Sequence, residues 1–235
     1  MIDLDEVRAR LNNNRVKFEE DGHKYTIDGR RLINVGSYVG KFKHQFDADY
    51  WAEKKAKQRG IAKEAVLAEW RAKGEIAANN GTALHQYAKL KLTGGRCKVK
   101  TEKARAFDDW WATANKSLVP VACEVVLFDE EAGVSGTADF IAYSSKTEKL
   151  HVFDWKTNEK FTTESNYRKW LLPPFDDLAE CALSEYSLQV SLYKVLARAM
   201  TEEEFGHSFI VHIGNVATPH RAIDVSDQLE DLLCQ

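Results

Sequence analysis

The stretch Lys149-Leu-His-Val-Phe-Asp-Trp-Lys156 decides how this chain is organised, because it reads as an apolar strand that ends in an acid and a lysine. Residues two apart on a strand point to the same face of a sheet, so Asp154 and Lys156 place a carboxylate beside an ammonium at its rim. A carboxylate can hold a divalent cation, and an ammonium can stabilise a negative transition state or help to activate water. The pair therefore has the minimum chemistry for metal-assisted phosphodiester cleavage, although a surface ion pair is the ordinary explanation of an isolated match.

Two further strands are predicted just upstream. The runs Val121–Phe128 and Val134–Tyr143 are largely apolar, and polar connections of hairpin length separate the three strands. Asp139 lies between apolar residues of the middle strand, which is costly unless its carboxylate is paired or metal-bound; the alternative is a strand-end acid bonded to a turn. Asp139 and Asp154 can occupy neighbouring positions on one sheet face, where they would repel each other without a cation between them. This arrangement favours a hard-metal site.

The flanking sequence predicts helices before this meander and a short βα part after it. A short helix over 3–12 precedes small strands near 16–33, and the region 34–117 is mostly helical. A long helix over 178–200 follows the irregular stretch 158–177, and the closing elements are strands at 207–213 and 221–225 and a helix at 228–233. The order predicts an α/β core with a helical N-terminal addition.

Composition excludes several classes of protein. The chain has 235 residues, 44% hydrophobic and 29% charged, which is typical of a soluble globular protein. The sequence contains neither an apolar run that could span a bilayer nor a signal peptide, so a cytoplasmic location is expected. The net charge of −3 means that any nucleic-acid surface must come from local patches. Four dispersed cysteines, none in a C-x-x-C pair, are expected to be reduced.

Three more kinds of residue suit a hydrolytic site. His85, at the end of Gly81-Thr-Ala-Leu-His85, offers a nitrogen ligand that favours manganese, although a lone helix histidine is more often a packed or surface residue. Gln189 and Tyr193 share one face of the predicted long helix, where they either flank the core or contact a substrate strand. Glu124, in the first strand, either supports the metal site or is an ordinary exposed residue.

Taken in order, these motifs resemble the RecB-like and Cas4-like branch of the PD-(D/E)XK nuclease superfamily. The matching positions are Gly81-x-x-x-His85, Glu124, Gly136-x-x-Asp139, Asp154-x-Lys156 and Gln189-x-x-x-Tyr193. Each motif alone is weak, but five in the right order are specific. The stretch from Asp154 to Lys160 is most similar to the stand-alone single-strand exonucleases of this branch, and the size is similar to nucleases encoded by bacteriophages.

The resemblance implies a fold, an activity and a role for each matching residue. The fold would be a restriction-endonuclease-like core, with a mixed central sheet flanked by helices, over 76–235, after a β-meander and helical subdomain over 1–75. The activity would be that of a metal-dependent DNA exonuclease of repair or recombination, acting on ends or single strands through metal-activated water. The implied catalytic residues are Asp139, Asp154, Lys156 and Glu124; the implied ligands of Mg²⁺ or Mn²⁺ are His85, Asp139, Asp154 and the Trp155 carbonyl; and the implied substrate contacts include Gln189 and Tyr193.

Several alternatives stay open. A catalytically inactive DNA-end-binding or recruitment module on the same fold, a structure-specific endonuclease and a hydrolase of small phosphoesters all fit parts of the pattern. Inactive members usually lose an acid or the lysine, whereas the whole set is present here. Neither clustered cysteines nor a P-loop occurs in the sequence, so we expect no iron–sulfur cluster and no nucleotide cofactor. Any coupling to a helicase would need a recombination or replication protein as partner.

Three regions are candidates for DNA contacts. Basic residues cluster between Lys89 and Arg105, after the histidine motif, and again between Lys54 and Lys63; the first cluster is the better candidate, and either can be a solvated helix face. The stretch Phe161–Phe175 links the Asp154 strand to the long helix, and its aromatic and basic residues suit contacts with single strands. We predict a lid or strand guide here, with a loop folded onto the core as the alternative; its candidate residues are Tyr167, Arg168, Lys169 and Trp170.

Overall fold

One mixed sheet organises the structure, a computed structural model that describes residues 2–12, 15–19, 22, 24–98, 101–165 and 167–234. Its strands are β1 Val16–Glu19, β2 Lys24–Ile27, β3 Arg30–Asn34, β4 Leu118–Asp129, β5 Val134–Ser144, β6 Lys149–Lys156, β7 Phe209–Ile213 and β8 Ala217–Arg221. The helices are α1 Leu4–Leu11, α2 Val35–Val39, α3 Ala48–Arg59, α4 Lys63–Leu92, α5 Glu102–Ala114, α6 Ala182–Thr201 and α7 Ser226–Leu233. A 3-10 turn at Gly40–Phe42 follows α2.

The strand order is β1-β2-β3-β5-β6-β7-β8, and β4 pairs with the long strand β5. The pairs β3–β5 and β6–β7 are parallel, and the other neighbours are antiparallel. Helices flank this sheet, which confirms the predicted α/β fold with a mixed central sheet. No helix among the described residues is long and apolar enough to cross a bilayer.

Strand register brings the acidic residues of the meander to one level. Phe140 pairs with Phe153, so the antiparallel register of β5 and β6 sets Asp139 opposite Asp154. On the other side of β5, Cys123 pairs with Phe140 and Val125 with Ala138, which sets Glu124 opposite Asp139. Directly opposite residues on neighbouring strands share a face. Three carboxylates therefore lie side by side across β4, β5 and β6.

Alternation along β6 divides the core into two layers. Leu150 and Val152 belong to the cluster that packs under α6, α1 and α7, whereas Phe153 and Trp155 belong to an aromatic cluster with α4 and α5. Within the second cluster the Trp155 ring centroid lies 5.4 Å from that of Phe107. Asp154 and Lys156 alternate with Phe153 and Trp155 and so lie on the same face of β6 as Leu150 and Val152. Their side chains are therefore directed towards the α6 side of the sheet.

Two predicted boundaries are wrong. The long helix α6 begins at Ala182 rather than at 178, because the backbone before it is used in a small antiparallel contact in which Leu171 N–H donates to the Leu178 carbonyl. The last strand is Ala217–Arg221 rather than 221–225. A tight turn at 214–216 folds β8 directly back onto β7. Because β8 is an edge strand, it can contain Pro219, which has no backbone N–H to donate.

The predicted domain division at residue 75 falls inside α4, which runs without interruption from Lys63 to Leu92. The N-terminal meander is likewise joined to the central sheet, since Ile33 and Asn34 of β3 pair with Val134 and Ser135 of β5. The division into 1–75 and 76–235 stays a prediction.

Candidate active site

A histidine from α4 meets two carboxylates of the meander. His85 Nδ1 lies 3.2 Å from Asp139 Oδ1 and 3.3 Å from Glu124 Oε1. One donor atom from each of these three residues lies within 4.8 Å of the other two. Carboxylate oxygens and an imidazole nitrogen are a donor set suited to Mn²⁺ and, through the oxygens, to Mg²⁺.

Electrostatics of this cluster also favour a cation. Burial disfavours the charged imidazolium, but the carboxylates of Asp139 and Glu124 outweigh it and raise the pKa of His85 to about 11. The carboxylates thus draw a proton onto His85 when no other positive charge is near. A divalent cation would satisfy the same negative charge, so the residues present fit a metal site.

Helix packing places His85 at the rim. Leu84, Tyr87 and Ala88 are buried against the aromatic layer, which fixes the rotation of α4. One turn before His85, α4 passes the end of β6: a Cβ on Gly81 would lie 3.5 Å from Thr157 Oγ1, a contact that alanine would tolerate. Glycine at position 81 therefore allows α4 to approach the end of β6, but the approach does not require a glycine.

Glu124 has an unusual backbone. Its φ is +49°, although it lies inside β4 and is not a glycine. Such a conformation costs about 1–3 kcal/mol and tends to persist where function retains it. The sequence left two interpretations of Glu124, a support of the metal site or an ordinary exposed strand residue. The structure places its side chain against His85 and leaves it only 24% exposed. Its catalytic role stays a prediction.

Lys156 is held by residues from two elements. Its Nζ lies 2.7 Å from Asp154 Oδ2 and donates to Gln189 Oε1 at 3.0 Å. The side chains of Lys156 and Asp154 are only 18% and 3% exposed. Burial opposes the ammonium, but Asp154 and then Asp139 outweigh it and raise the pKa of Lys156. Burial raises the pKa of Asp154, and Lys156 opposes that rise. Lys156 thus stays cationic beside the acidic residues of the meander.

Asp139 links the two halves of the site. Its Oδ1 faces His85, and its Oδ2 accepts a hydrogen bond from the Trp155 backbone N–H at 2.7 Å. Asp154 is opposite Asp139 in the sheet but is not one of the three residues whose donor atoms cluster, and it forms an ion pair with Lys156. The predicted ligand roles of Asp154 and of the Trp155 carbonyl stay predictions.

The α6 residues form a chain behind Lys156. Gln189 Nε2 donates to Tyr193 Oη at 3.0 Å. The Tyr193 ring in turn packs against β5, because a Cβ on Gly136 would lie only 2.8 Å from Tyr193 Cε1 and from Val35 Cγ2. Gly136 is thus required for this close approach. The shared helix face of Gln189 and Tyr193 was predicted, and their substrate contacts stay predictions.

Tyr186 is a site residue that sequence reasoning missed. Its ring centroid lies 4.6 Å from Lys156 Nζ and 6.1 Å from the ring centroid of Phe161, and it packs against the small cluster of Val190, Ile210 and Ala222. Tyr186, Gln189 and Tyr193 are spaced i, i+3, i+7 and so share one face of α6. That spacing is the feature of the sequence from which Tyr186 could have been predicted as a site residue.

Replacing Tyr186 by leucine is expected to lower kcat on the DNA substrate that the sequence predicts by about two- to thirtyfold, because a cation–π contact at a half-buried site is worth about 0.5–2 kcal/mol. Tyr186→Phe keeps the ring and should retain most of the activity. Steady-state kinetics with Mn²⁺, together with melting temperatures, distinguish this from general destabilisation. Equal losses in both variants would show that the hydroxyl, not the ring, matters.

The 161–175 segment is divided between core and surface. Phe175 is fully buried, and Phe161 stacks on the ring of His220 at 4.2 Å. In contrast, Tyr167 is 79% and Trp170 54% exposed. Within the described part of the chain, no hydrogen bond or ion pair joins the predicted substrate residues of this segment to the acidic cluster; these residues are Tyr167, Arg168, Lys169 and Trp170. Their contact with substrate stays a prediction.

The basic cluster after α4 is partly engaged in the fold. Lys91 Nζ lies 3.3 Å from Asp108 Oδ1, and Lys103 Nζ donates to the Thr157 carbonyl at 2.6 Å. Lys100 lies outside the described residues. Lys103 therefore supports the end of β6. Contacts between the basic cluster and DNA stay a prediction. The four cysteines are free, at positions 97, 123, 181 and 234, and the expected absence of an iron–sulfur cluster stays a prediction.

Comparison with protein families gives a match over most of the chain. The sequence model of the PD-(D/E)XK nuclease superfamily matches residues 30–232. No curated protein matches the chain significantly. The matched region includes the whole central sheet from β3 onwards and every residue of the site from His85 to Tyr193. A match over well more than half the chain, on a mixed α/β sheet of the restriction-endonuclease-like kind, establishes that the chain belongs to the PD-(D/E)XK nuclease superfamily.

Proposed function

We propose that this protein is a metal-dependent deoxyribonuclease of the RecB-like and Cas4-like branch, an exonuclease that acts on DNA ends or single strands. Membership of the superfamily supports the general part of this proposal, namely a phosphodiester hydrolase that uses a divalent metal. One observation supports an active enzyme: Lys156 is in contact with both Asp154 and Gln189, beside the cluster of His85, Glu124 and Asp139. The similarity of the stretch from Asp154 to Lys160 to single-strand exonucleases supports the finer assignment.

In this proposal the side chains of the site divide metal binding, activation of water and positioning between them. His85, Glu124 and Asp139 hold Mg²⁺ or Mn²⁺, which when bound supplies positive charge to the phosphoryl oxygens and lowers the pKa of water. Lys156 orients the nucleophilic water and offsets negative charge as it develops on the phosphate. Asp154 keeps Lys156 cationic and in place, since the two are 2.7 Å apart.

Gln189 has a positioning task in addition to any contact with substrate. Its amide oxygen accepts from Lys156 while its amide nitrogen donates to Tyr193, so both ends of the amide are engaged. This fixes the direction in which the ammonium can point. The exposed residues Tyr167 and Trp170 would then guide a single strand towards the site. A recombination or replication protein as partner is part of the proposal.

Linear and circular substrates test the proposal directly. End-labelled single-stranded and double-stranded DNA and a circular single strand are incubated with Mg²⁺, with Mn²⁺ or with chelator. We expect metal-dependent shortening of linear DNA from an end, an intact circle and no activity in Asp154→Asn. Cleavage of the circle would identify an endonuclease instead. DNA binding without cleavage under every metal condition would identify an inactive end-binding module.

A further inference from the structure

Helix α4 carries an element that the active site does not use. Residues 71–80 are exposed on all sides, a length of about 15 Å at 1.5 Å per residue. Before this exposed part, α4 packs on α3, where Ala52, Ala56 and Val66 form a small separate core with Leu67 and Trp70 at its edge. The Trp70 ring also contacts the ring of Phe46, with 5.9 Å between centroids. Residues 48–73 therefore form a helical hairpin, here named the arm, that stands away from the sheet.

Aromatic rings are exposed on the arm. Tyr50 is 56% and Trp51 41% exposed, and their ring centroids are 5.3 Å apart in an edge-to-face contact. Phe46, just ahead of the arm, is 67% exposed. The Nζ of Lys54 lies 4.9 Å from the Trp51 ring centroid. A cation over an exposed ring, beside further rings, is a surface suited to stacked bases and phosphates.

Charge on the arm is positive, in contrast to the chain as a whole. Residues 48–73 contain seven Lys or Arg and four Asp or Glu, whereas the full chain has a net charge of −3. Three of the seven are engaged with acids of the arm, in the pairs Lys57–Glu53, Arg59–Glu69 and Lys63–Asp49. Among the described residues, the other four lie beyond ion-pair distance of any carboxylate; they are Lys54, Lys55, Arg71 and Lys73.

We propose that the arm binds the single-stranded part of the nucleic-acid substrate, outside the catalytic site. Bases would stack on Tyr50 and Trp51, and phosphates would lie against the unpaired cations. This inference rests on the proposed function, because it assigns the arm to the same substrate. A protein partner is the competing occupant. The four unpaired cations of the arm, one of which lies over the Trp51 ring, favour a polyanion over an apolar protein surface.

Helix α4 gives the arm a fixed relation to the site. Trp70 and His85 are fifteen residues apart on one continuous helix, about 22 Å along its axis. The arm therefore lies beyond the reach of a dinucleotide in the site but within the reach of a longer strand. Its contacts should lower KM for long strands and leave hydrolysis of a dinucleotide unchanged.

Charge-only and ring variants test this binding. The double variant Lys54→Gln/Lys55→Gln and the single variant Trp51→Ala are compared with Lys57→Gln, a matched control from the same helix whose ammonium is paired with Glu53. Binding to an oligothymidylate of about 30 nucleotides is measured by anisotropy at several salt concentrations, in a Lys156→Met background that prevents cleavage. We expect Kd to rise at least fivefold for Trp51→Ala and for the lysine double variant, and to change little in the control. The dependence of log Kd on log salt concentration should become less steep in the lysine double variant only, because only that variant removes charges that contact phosphates.

The outcomes separate this inference from the proposed function. Hydrolysis of a dinucleotide, measured in variants that keep Lys156, should be the same with and without the arm substitutions, which would support the inference. Unchanged oligothymidylate affinity in both variants would overturn it, whether or not the arm then binds a protein. If the wild type binds single strands through the arm but cleaves none with any metal, the inference about the arm is supported and the proposed nuclease function is rejected.

Discussion

Replacing Lys156 by methionine is expected to lower kcat on DNA by about a thousandfold, because in the proposed mechanism it removes the ammonium that offsets charge developing on the phosphate. Methionine has a similar length and no charge, so the packing around β6 should persist. Asp154, only 3% exposed, loses its counter-ion in this variant, and its carboxyl should then be protonated more readily. Single-turnover cleavage of a labelled single strand at saturating Mn²⁺ measures the effect.

Lys149→Met is the matched control, since Lys149 opens the same strand and is exposed. It should keep full activity. Thermal unfolding of both variants shows whether any loss comes from the fold. Retention of more than about a tenth of the wild-type rate in Lys156→Met would contradict the assigned role, because a 1.4 kcal/mol effect is too small for a group that stabilises the transition state directly.

Replacing Trp155 by alanine is expected to reduce the free energy of unfolding by about 3–5 kcal/mol, the range for large aromatic side chains removed from a core. Trp155 is 1% exposed, and its ring lies 5.3 Å from Trp110 and 5.8 Å from Phe140 between centroids. Urea denaturation followed by circular dichroism measures the loss. Most small domains are stable by only about 5–15 kcal/mol, so this variant should be close to unfolding at 37 °C, about body temperature.

Trp51→Ala provides the comparison on stability. Trp51 lies on the arm and is 41% exposed, so its removal should change the free energy of unfolding by less than about 1 kcal/mol. Trp155→Phe should lie between the two, because it keeps part of the ring contact with Phe107. Similar losses for Trp155→Ala and Trp51→Ala would show that the aromatic layer is not a main source of stability.

Local pattern was sufficient for the centre of the fold. Alternating residues and short polar connections predicted the β4–β5–β6 meander, and a hairpin register then sets Asp139 opposite Asp154. The i,i+4 spacing of Gln189 and Tyr193 placed both on one helix face. These features depend on contacts between near neighbours in sequence, which is why the residues alone reveal them.

Features set by tertiary contacts were not predictable. The positive φ of Glu124 is uncommon for a glutamate inside a strand, and its residue type gives no signal of it. The predicted start of α6 at 178 was wrong, because Ala179 instead forms an isolated bridge with Trp170. Helical periodicity likewise indicates helices over 48–92 but does not reveal that residues 71–80 are exposed on every side of α4.

The alternation along β6 has a consequence for assays of this protein. A slip of β6 by one residue would move Trp155 into the place of its charged neighbours and send Asp154 or Lys156 into the aromatic layer. A register shifted by one residue can then be neither well packed nor able to present both charged side chains to the site. In the unsubstituted chain, activity lost through a one-residue slip of β6 should therefore be accompanied by loss of the native packing, and should not occur in a molecule that still has its aromatic layer.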